Sequence, residues 1–554
     1  MKKAIYLVIS CVMTAVLVPS CDLDRESPDS IPFDEAFKSM DAIRSLELGA
    51  YSRLRTAYSL SSIIAPDIQA DYVNAVYGFS NTYGGIYQWT YDYSDSDITT
   101  AWNNLYGAIS QYNFILDGIS GSLGFNPSED EKLELERIQG RMYLMRAMCY
   151  SLLAERFCQD YEQETAGTEY TGLPLALTHD TSLKLDRSTL QKTYETILED
   201  LDKARSMLAG SGRGTPDATT LNTDCVTAME AHVYLQMDNY GKALDKAKEV
   251  IGNTAYSLVD SEEELQRMWE YDTSDEIIFK FYANTIEIAY QWGYNFFYDY
   301  YSGTGEYSQI YPEYIPTQTC IDMFSSEDWR TRVFLTDCSM NGDFTFKSEY
   351  ALMIKGAGMF AYKASVISKY PGNPDLMTSN QKNYYNPFKP IRLAEMYLIA
   401  AEAAVQSGAT GEDAAENWLN TLREHRGLAP LSAVTLKDVQ DERYREMMLE
   451  GTRLTDLKRW KLPMDRGEWQ DDMLGPDEYY SWTEGDYVSD IGKDLNIPAG
   501  DYRFVWPIPA DEIFASPQLE AQQNPGWNHL SHLLVPLYSD KVCPYTAAVT
   551  HTCS

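Results

Sequence analysis

Ala231-His-Val-Tyr-Leu-Gln-Met-Asp-Asn-Tyr-Gly-Lys-Ala-Leu-Asp-Lys-Ala-Lys-Glu-Val250 is the stretch on which the fold turns. Within it, Ala231, Tyr234, Tyr240, Ala243, Leu244, Ala247 and Val250 recur at helical intervals and mark one apolar face. Large and small residues alternate as in a tetratricopeptide hairpin, where alanines let the second helix lie close on the first. The pattern returns in Ala394, Tyr397, Ala401, Ala404, Gly408, Ala414, Ala415, Trp418 and Leu422. Two hairpins are too few for a free solenoid, which needs about three to bury its faces. Working outward, Ser188–Leu208 opens on a capping-type serine and sets Leu190, Tyr194, Ile197, Leu201, Ala204 and Leu208 along one side. Leu133–Phe157 runs without Gly or Pro except Gly140, and Trp102, Leu105, Ile109, Tyr112 and Leu116 continue the period from Ile98 towards Gly118. These helices would supply divergent repeats; a plain helical bundle packed on alanines is the alternative. The expected fold class is mainly α, a tetratricopeptide-like helix-hairpin scaffold.

Helical period fades between about residues 60 and 96 and again between 252 and 390, where Gly, Pro, Asn, Asp and Tyr take over. Long loop insertions with short strands are expected there, and Glu276–Tyr282 and Arg503–Pro507 read as strands. The formal charge of −37 is spread along the chain and repels phosphate backbones, so nucleic acid is not an expected partner. At the N-terminus, Lys2 and Lys3 precede an apolar run from Ala4 to Val18, and Pro19-Ser20-Cys21 follows: the charged, apolar and small-residue order of a secretory signal over residues 1–20. A small residue before Cys21 is similar to a lipobox, whose cysteine becomes an acylated anchor; an ordinary cleaved signal is the alternative. Cys149 and Cys158 fall in one helical run about 14 Å apart along its axis, too far to bridge. Cys320–Cys338 and Cys543–Cys553 stay open as pairs.

Three passages then occur in order. They are Arg392-Leu-Ala-Glu-Met-Tyr-Leu-Ile-Ala-Ala-Glu402, then Glu442-Arg-Tyr-Arg-Glu446 running into Glu450-Gly451-Thr-Arg453-Leu-Thr-Asp456-Leu-Lys-Arg459-Trp460, then Pro507-Ile-Pro509 with Gln523-Asn-Pro-Gly-Trp527. Their order and spacing, with the lipobox, resemble the SusD/RagB family of outer-membrane nutrient-binding lipoproteins, across residues 21–529. The tail 530–554, with His529, His532, Cys543, His551 and Cys553 in and beside it, extends past the family pattern, and Thr452, Leu454 and Thr455 depart from it. Read physically, Glu442–Arg445, Glu450–Arg453, Arg453–Asp456 and Asp456–Arg459 are spaced as ion pairs of a framework helix on a surface or interface. The third passage is expected to close the fold against the repeats.

No HExxH, GxSxG or GxxxxGK is present, and Gly356-Ala-Gly358-Met-Phe-Ala361 lacks a surrounding βαβ unit. The chain therefore reads as a binding protein, not an enzyme, with no cofactor. Asp92, Asp95 and Asp97 could take calcium, but capping the helix before Ile98 is the simpler reading, and no metal site is expected. What remains is aromatic surface: Tyr72, Tyr77, Phe79, Tyr83, Tyr87, Trp89, Tyr91 and Tyr93 in one stretch, and eleven rings between Tyr290 and Tyr314 in another. Flat rings stack on the apolar faces of sugars and present much area with few rotors to freeze. Tyr83, Tyr87, Trp89, Trp292 and Tyr294 are the expected stacking platforms, with Asn81 as a polar partner. The resemblance implies oligosaccharide or polysaccharide capture on loops near these regions, exposure at the outside of the outer membrane through Cys21, and a SusC-like TonB-dependent transporter over which the protein hinges as a lid. A peptide cargo, a surface hydrolase and a protein-binding scaffold remain the competing functions.

Overall fold

A computed structural model describes residues 35–527 apart from 181, 213–217, 288–289, 298, 301–307, 340, 342–346, 349, 355–358, 361–362, 378–384 and 471–487. Residues 1–20, Cys21 and the tail from 530 lie outside the described residues.

The scaffold is a continuous stack of helices: α1 (Met40–Ala57), α2 (Leu60–Gln69), α3 (Ser96–Ser120), α4 (Glu129–Phe157), α5 (Leu190–Met207), α6 (Thr223–Gln236) and α7 (Tyr240–Ile251). After the long insertion come α10 (Leu393–Ser407), α11 (Ala415–Glu424), α12 (Leu436–Glu446) and α13 (Arg453–Arg459). Helix α3 packs on α1 and α4, α4 on α5, α5 on α6, α6 on α7, α7 on α10, and α10 on α11 and α12. The two alanine-patterned hairpins, α6–α7 and α10–α11, are thus neighbours in space although the insertion separates them in sequence. Ala243 and Ala247 of α7 and Ala400, Ala401, Ala403 and Ala404 of α10 are buried, which is what lets the backbones approach. Local chemistry starts and stops these elements. Ser128 and Glu131 form a capping box at α4, and Gly408 at φ 68° ends α10 in a left-handed turn. Thr189, not Ser188, caps α5, one residue later than expected.

The region 60–96 is not an insertion without helix. Helix α2 occupies Leu60–Gln69, and every residue from Ser61 to Gln69 is buried. A helix enclosed on all sides needs no polar face, so it carries no period for sequence reading to find. Pro66 sits inside it and cannot bond the Ser62 carbonyl; Arg156 of α4 donates Nε to that oxygen instead, at 3.3 Å.

The insertion between α7 and α10 leaves and returns through one strand pair, β2 (Ile277–Phe279) against β6 (Ile391–Arg392), antiparallel with Ile391 opposite Phe279. It carries helices α8 (Glu262–Glu270) and α9 (Trp329–Phe334), strands β4 (Leu335–Asp337) and β5 (Ser365–Ile367) as an antiparallel pair, and a small four-stranded sheet. Two strands of that sheet, Tyr350–Ile354 and Met359–Phe360, flank Gly356 and Gly358 and pair antiparallel, which is not a dinucleotide-binding arrangement. Arg503–Pro507 is not a strand: Tyr502–Phe504 is a helical turn, and the chain then runs extended past Trp506.

The family-like passages hold this frame together. Glu442 and Arg445 pair at 2.6 Å and Asp456 with Arg459 at 2.9 Å, as the spacing predicts. The other two expected pairs do not form: Glu450 lies in the turn between α12 and α13, and Asp456, although one turn along α13 from Arg453, is taken by Arg443 at 2.7 Å as well as by Arg459. Arg453 instead reaches Asp71 at 2.7 Å, and Glu450 pairs with Lys369 and Arg392. Nor is this a surface. Arg330, Arg392, Arg426, Glu276, Glu442 and Glu446 are all within 1% of complete burial and interlock by ion pairs of 2.6–3.1 Å. At the far end, the carbonyls that close α4 are satisfied from later parts of the chain. Lys458 Nζ donates to Glu155 and Cys158, Trp506 N to Arg156, and Asn524 Nδ2 to Phe157. The third passage does seal the repeats. Cys149, Cys158, Cys225, Cys320 and Cys338 are buried and free, so Cys320–Cys338 is not a disulfide; Cys543 and Cys553 lie outside the described residues.

Candidate functional site

Strand β1 (Val73–Ala75) pairs antiparallel with β3 (Tyr314–Pro316), Ala75 opposite Tyr314, and Val76 bridges to Val488. This pairing joins the two ring-rich stretches. Glu313 organises the junction: its carbonyl accepts from Val76 N at 2.9 Å, its carboxylate from Ser80 N at 3.2 Å, and its own N–H donates to Asn295 at 2.8 Å. Tyr314 adds a hydroxyl bond to the Thr82 carbonyl at 2.5 Å. The loop is therefore pinned along its length. Its sharp course comes from Asn81 and Tyr83, both left-handed at φ 62° and 55°. Gly84 has to be glycine, since a Cβ there would lie 2.0 Å from the Asn81 side-chain oxygen that folds over it.

Beneath the loop is an aromatic plinth. Tyr314 lies 5.2 Å from Tyr87, 5.9 Å from Phe79 and 6.5 Å from Phe296, ring centre to ring centre. Arg466, fully buried and without an ion-pair partner among the described residues, caps the Tyr87 ring at 3.7 Å and donates to the carbonyls of Tyr87 and Gly492. Above it, Tyr77 is 43% exposed and Tyr294 42%, with Asn81 exposed and Tyr83 half-buried. Burial, followed by the nearby Asp97 carboxylate, pushes the Tyr83 hydroxyl up from its ordinary value, so it is a neutral donor and acceptor.

Three of the expected platforms are not platforms. Tyr87 is fully buried, its hydroxyl accepting from Ala75 N at 3.1 Å. Trp89 is 1% exposed, anchored by Nε1 to the Gln69 carbonyl and packed edge-on against Phe504. Trp292 is 2% exposed and stacked on Phe388 at 4.7 Å. With both faces covered, these rings have nothing to offer a sugar; they are core. Of the other expected residues, Tyr294 and Asn81 are exposed and Tyr83 is half-buried. Tyr77, the first residue beyond the Val76–Val488 bridge, belongs to the ring-rich stretch but is not among its expected platforms, and Glu313 carries no expected role at all. Gly78 at φ 78° directly after Tyr77 is the turn signal that marks it. Asp95 caps α3, accepting from the N–H groups of Asp97 and Ile98, and Asp97 accepts from Ser61; these carboxylates serve local structure. Among the described residues no group of three or more His, Cys, Asp or Glu is placed to hold a metal ion.

Frame and junction together define a helical-repeat protein that offers a ring-edged surface on its insertions. Two family profiles match the chain, one described as the SusD family over residues 357–527 and one as starch-binding associating with outer membrane over residues 23–235. SusD-like protein P2 of Formosa agariphila is 24% identical over 499 residues, covering 83% of this chain and 91% of its own. A SusD superfamily protein of Bacteroides thetaiotaomicron shares the fold with TM-score 0.69 at 24% identity, covering 87% of this chain and 99% of that one. A putative sugar binding protein of Bacteroides vulgatus follows at TM-score 0.67 and 22% identity, covering 89% and 99%. The chain belongs to the SusD/RagB family. Among the described residues no helix is long and apolar enough to cross a membrane.

Proposed function

We propose that this protein is a cell-surface lipoprotein, anchored at the outer membrane through Cys21, that captures oligosaccharide or polysaccharide and delivers it to a SusC-like TonB-dependent transporter. Binding without turnover is its role. One observation carries the reading: Tyr77 and Tyr294 are each about two-fifths exposed, exposed Asn81 and half-buried Tyr83 lie on the same pinned loop as Tyr77, and Glu313 fixes that loop and bonds Asn295 next to Tyr294. Rigid rings beside an amide and a neutral hydroxyl suit the alternating apolar faces and hydroxyl edges of a glycan. The sugar-binding description of a fold relative and the starch-binding description of a matching profile support the same class of ligand.

The test is retention of neutral polysaccharides in affinity gels and calorimetry with oligosaccharides. Combined Tyr77→Ala and Tyr294→Ala should weaken binding at least about tenfold, or ~1.4 kcal/mol. Unchanged affinity in that variant, or binding of peptides and no glycan, overturns the proposal. Fatty-acid labelling lost in Cys21→Ala, and co-purification of a transporter barrel from the native membrane, test anchor and delivery separately.

A further inference from the structure

Away from the junction, a groove of about 260 Å³ opens between α8 and the α9–β4 edge. Gln266, Trp269 and Glu270 line it from one face of α8, being three and four residues apart. Thr336 of β4 and Ser368, just after β5, form the other side, with the Thr336 hydroxyl donating to Ser368 at 2.8 Å. Phe297 and Tyr350 close one end, edge to face at 4.9 Å.

Trp269 is the unusual member. It is 1% exposed, and its Nε1 is shielded yet has no acceptor within hydrogen-bond distance among the described residues. The ring cannot turn to find one. Phe334 and Tyr370 meet it edge-on at 5.6 and 5.3 Å, and the ammonium groups of Lys369 and Lys389 lie 4.4 and 4.7 Å from its centre. Native proteins rarely leave a buried donor unmade, and an enclosed water is the usual partner for one so placed.

The lining limits the chemistry of what the groove takes. Arg332 borders the groove, but its guanidinium is taken by Glu262 and by the Ser326 carbonyl, so among the described lining residues no free cation awaits an anion. Glu270 adds negative charge, and the ring faces of Trp269 are occupied, so neither an anionic group nor a flat stacking base is suited. The groove offers one amide, two hydroxyls and a carboxylate around a small volume with an aromatic end. That set matches a ring whose substituents each donate and accept. It is also below the roughly 300 Å³ at which pockets for drug-sized ligands begin, so it suits a single ring and not a chain.

We propose that this groove is a second carbohydrate subsite, taking one neutral pyranose unit, with Gln266, Glu270 and Ser368 as its hydrogen-bonding partners and Trp269 as the wall behind them. The class of ligand rests on the glycan reading above; the residues do not. The helical turn Tyr294–Phe297 connects the two places, since the Asn295 carbonyl accepts from Glu313 at the junction and Phe297 lines the groove. A glycan held at the junction can therefore seat an end or a branch here.

The full chain labelled with 5-fluorotryptophan is titrated with the methyl glycosides of glucose, galactose and mannose and followed by fluorine NMR, the Trp269 signal being assigned from Trp269→Phe. At least one glycoside should shift that signal saturably while the Trp102 signal stays still, and Gln266→Ala with Ser368→Ala should raise the Kd about tenfold. Saturation-transfer difference spectra of the glycoside on wild type and the Gln266→Ala/Ser368→Ala variant give the same comparison without the tryptophan substitution, should Trp269→Phe not fold. An unmoved Trp269 signal with no transfer, or equal transfer to both proteins, overturns the subsite. The two readings fail separately. Loss of polysaccharide retention in Tyr77→Ala/Tyr294→Ala beside an inert groove leaves the junction standing, whereas a responsive groove with retention undiminished by that variant leaves only the groove.

Discussion

Glu446 shows what the charged family-like passage is for. Fully buried, it meets Arg392 at 2.8 Å, Arg426 at 2.9 Å and Arg330 at 3.1 Å. Burial alone would raise its carboxyl; the three guanidinia hold it well below the usual range. Removing one partner from such a cluster strands the others, so Glu446→Gln should cost about 3–5 kcal/mol in urea unfolding. A loss below about 1 kcal/mol would show that the remaining carboxylates can carry the arginines. His232 gives a pH signature. Its ring nitrogens face Glu155 at 2.8 Å and Glu395 at 3.2 Å. Burial works against its charge, but the two carboxylates outweigh it and raise the imidazolium from 6.5 to about 10. A raised value means that the folded state holds the proton more tightly. This contribution is complete below pH 6.5, declines above it and is gone once pH passes about 10. Burial likewise opposes ionisation of Glu395, yet His232 and Arg443 bring it down to about 2, so its share is present above pH 4.5 and lost as pH falls through 2. Urea midpoints measured from neutral to alkaline pH should fall in wild type and flatten in His232→Gln; parallel curves would contradict the assignment.

Helix contacts turn on small residues. At Gly140, where α5 ends against α4, a Cβ would stand 2.9 Å from both Leu208 Cγ and Met207 Cβ. Gly140→Ala should therefore destabilise by about 1–3 kcal/mol, despite alanine's better helix propensity. Gly241 in α7 has no atom within 4 Å of its would-be Cβ, and Gly241→Ala should stabilise by about 0.4–1 kcal/mol. Calorimetric melting of the pair checks both signs, and a shared sign would refute the packing argument. The same elements show what was legible beforehand. The hairpins α6–α7 and α10–α11 could be read because each buries one face and leaves the other wet, and that asymmetry is written in alanine and leucine spacing. Helix α2 could not, being enclosed all round, and strands of two or three residues are too short to carry a period. The candidate site was legible as a region and not as side chains. A ring that stacks on Phe388 and a ring that faces solvent are the same letters until the pairing of β1 with β3 decides which is which.

Across the whole molecule two electrostatic regimes coexist. Opposite charges interlock inside, while the surface carries the excess of a chain at −37. Salt reaches only the second. Raising sodium chloride from low to moderate concentration should lift the melting temperature by screening self-repulsion over the Debye length of about 10 Å at 0.1 M. Affinity for neutral glycans should stay flat over the same range, while any anionic glycan should bind better as salt rises. A neutral-glycan affinity that collapses with salt would point to ion pairing where rings are proposed.

The closing of α4 has a further consequence for how the chain is made. Its last carbonyls wait for Asn524, 367 residues beyond Phe157. A ribosome must add all of those residues before this 29-residue helix can be locked, and every shorter nascent species lacks its final clasp. Export to the cell surface, as proposed above, would favour such a delay, because an export pore accepts only unfolded chains.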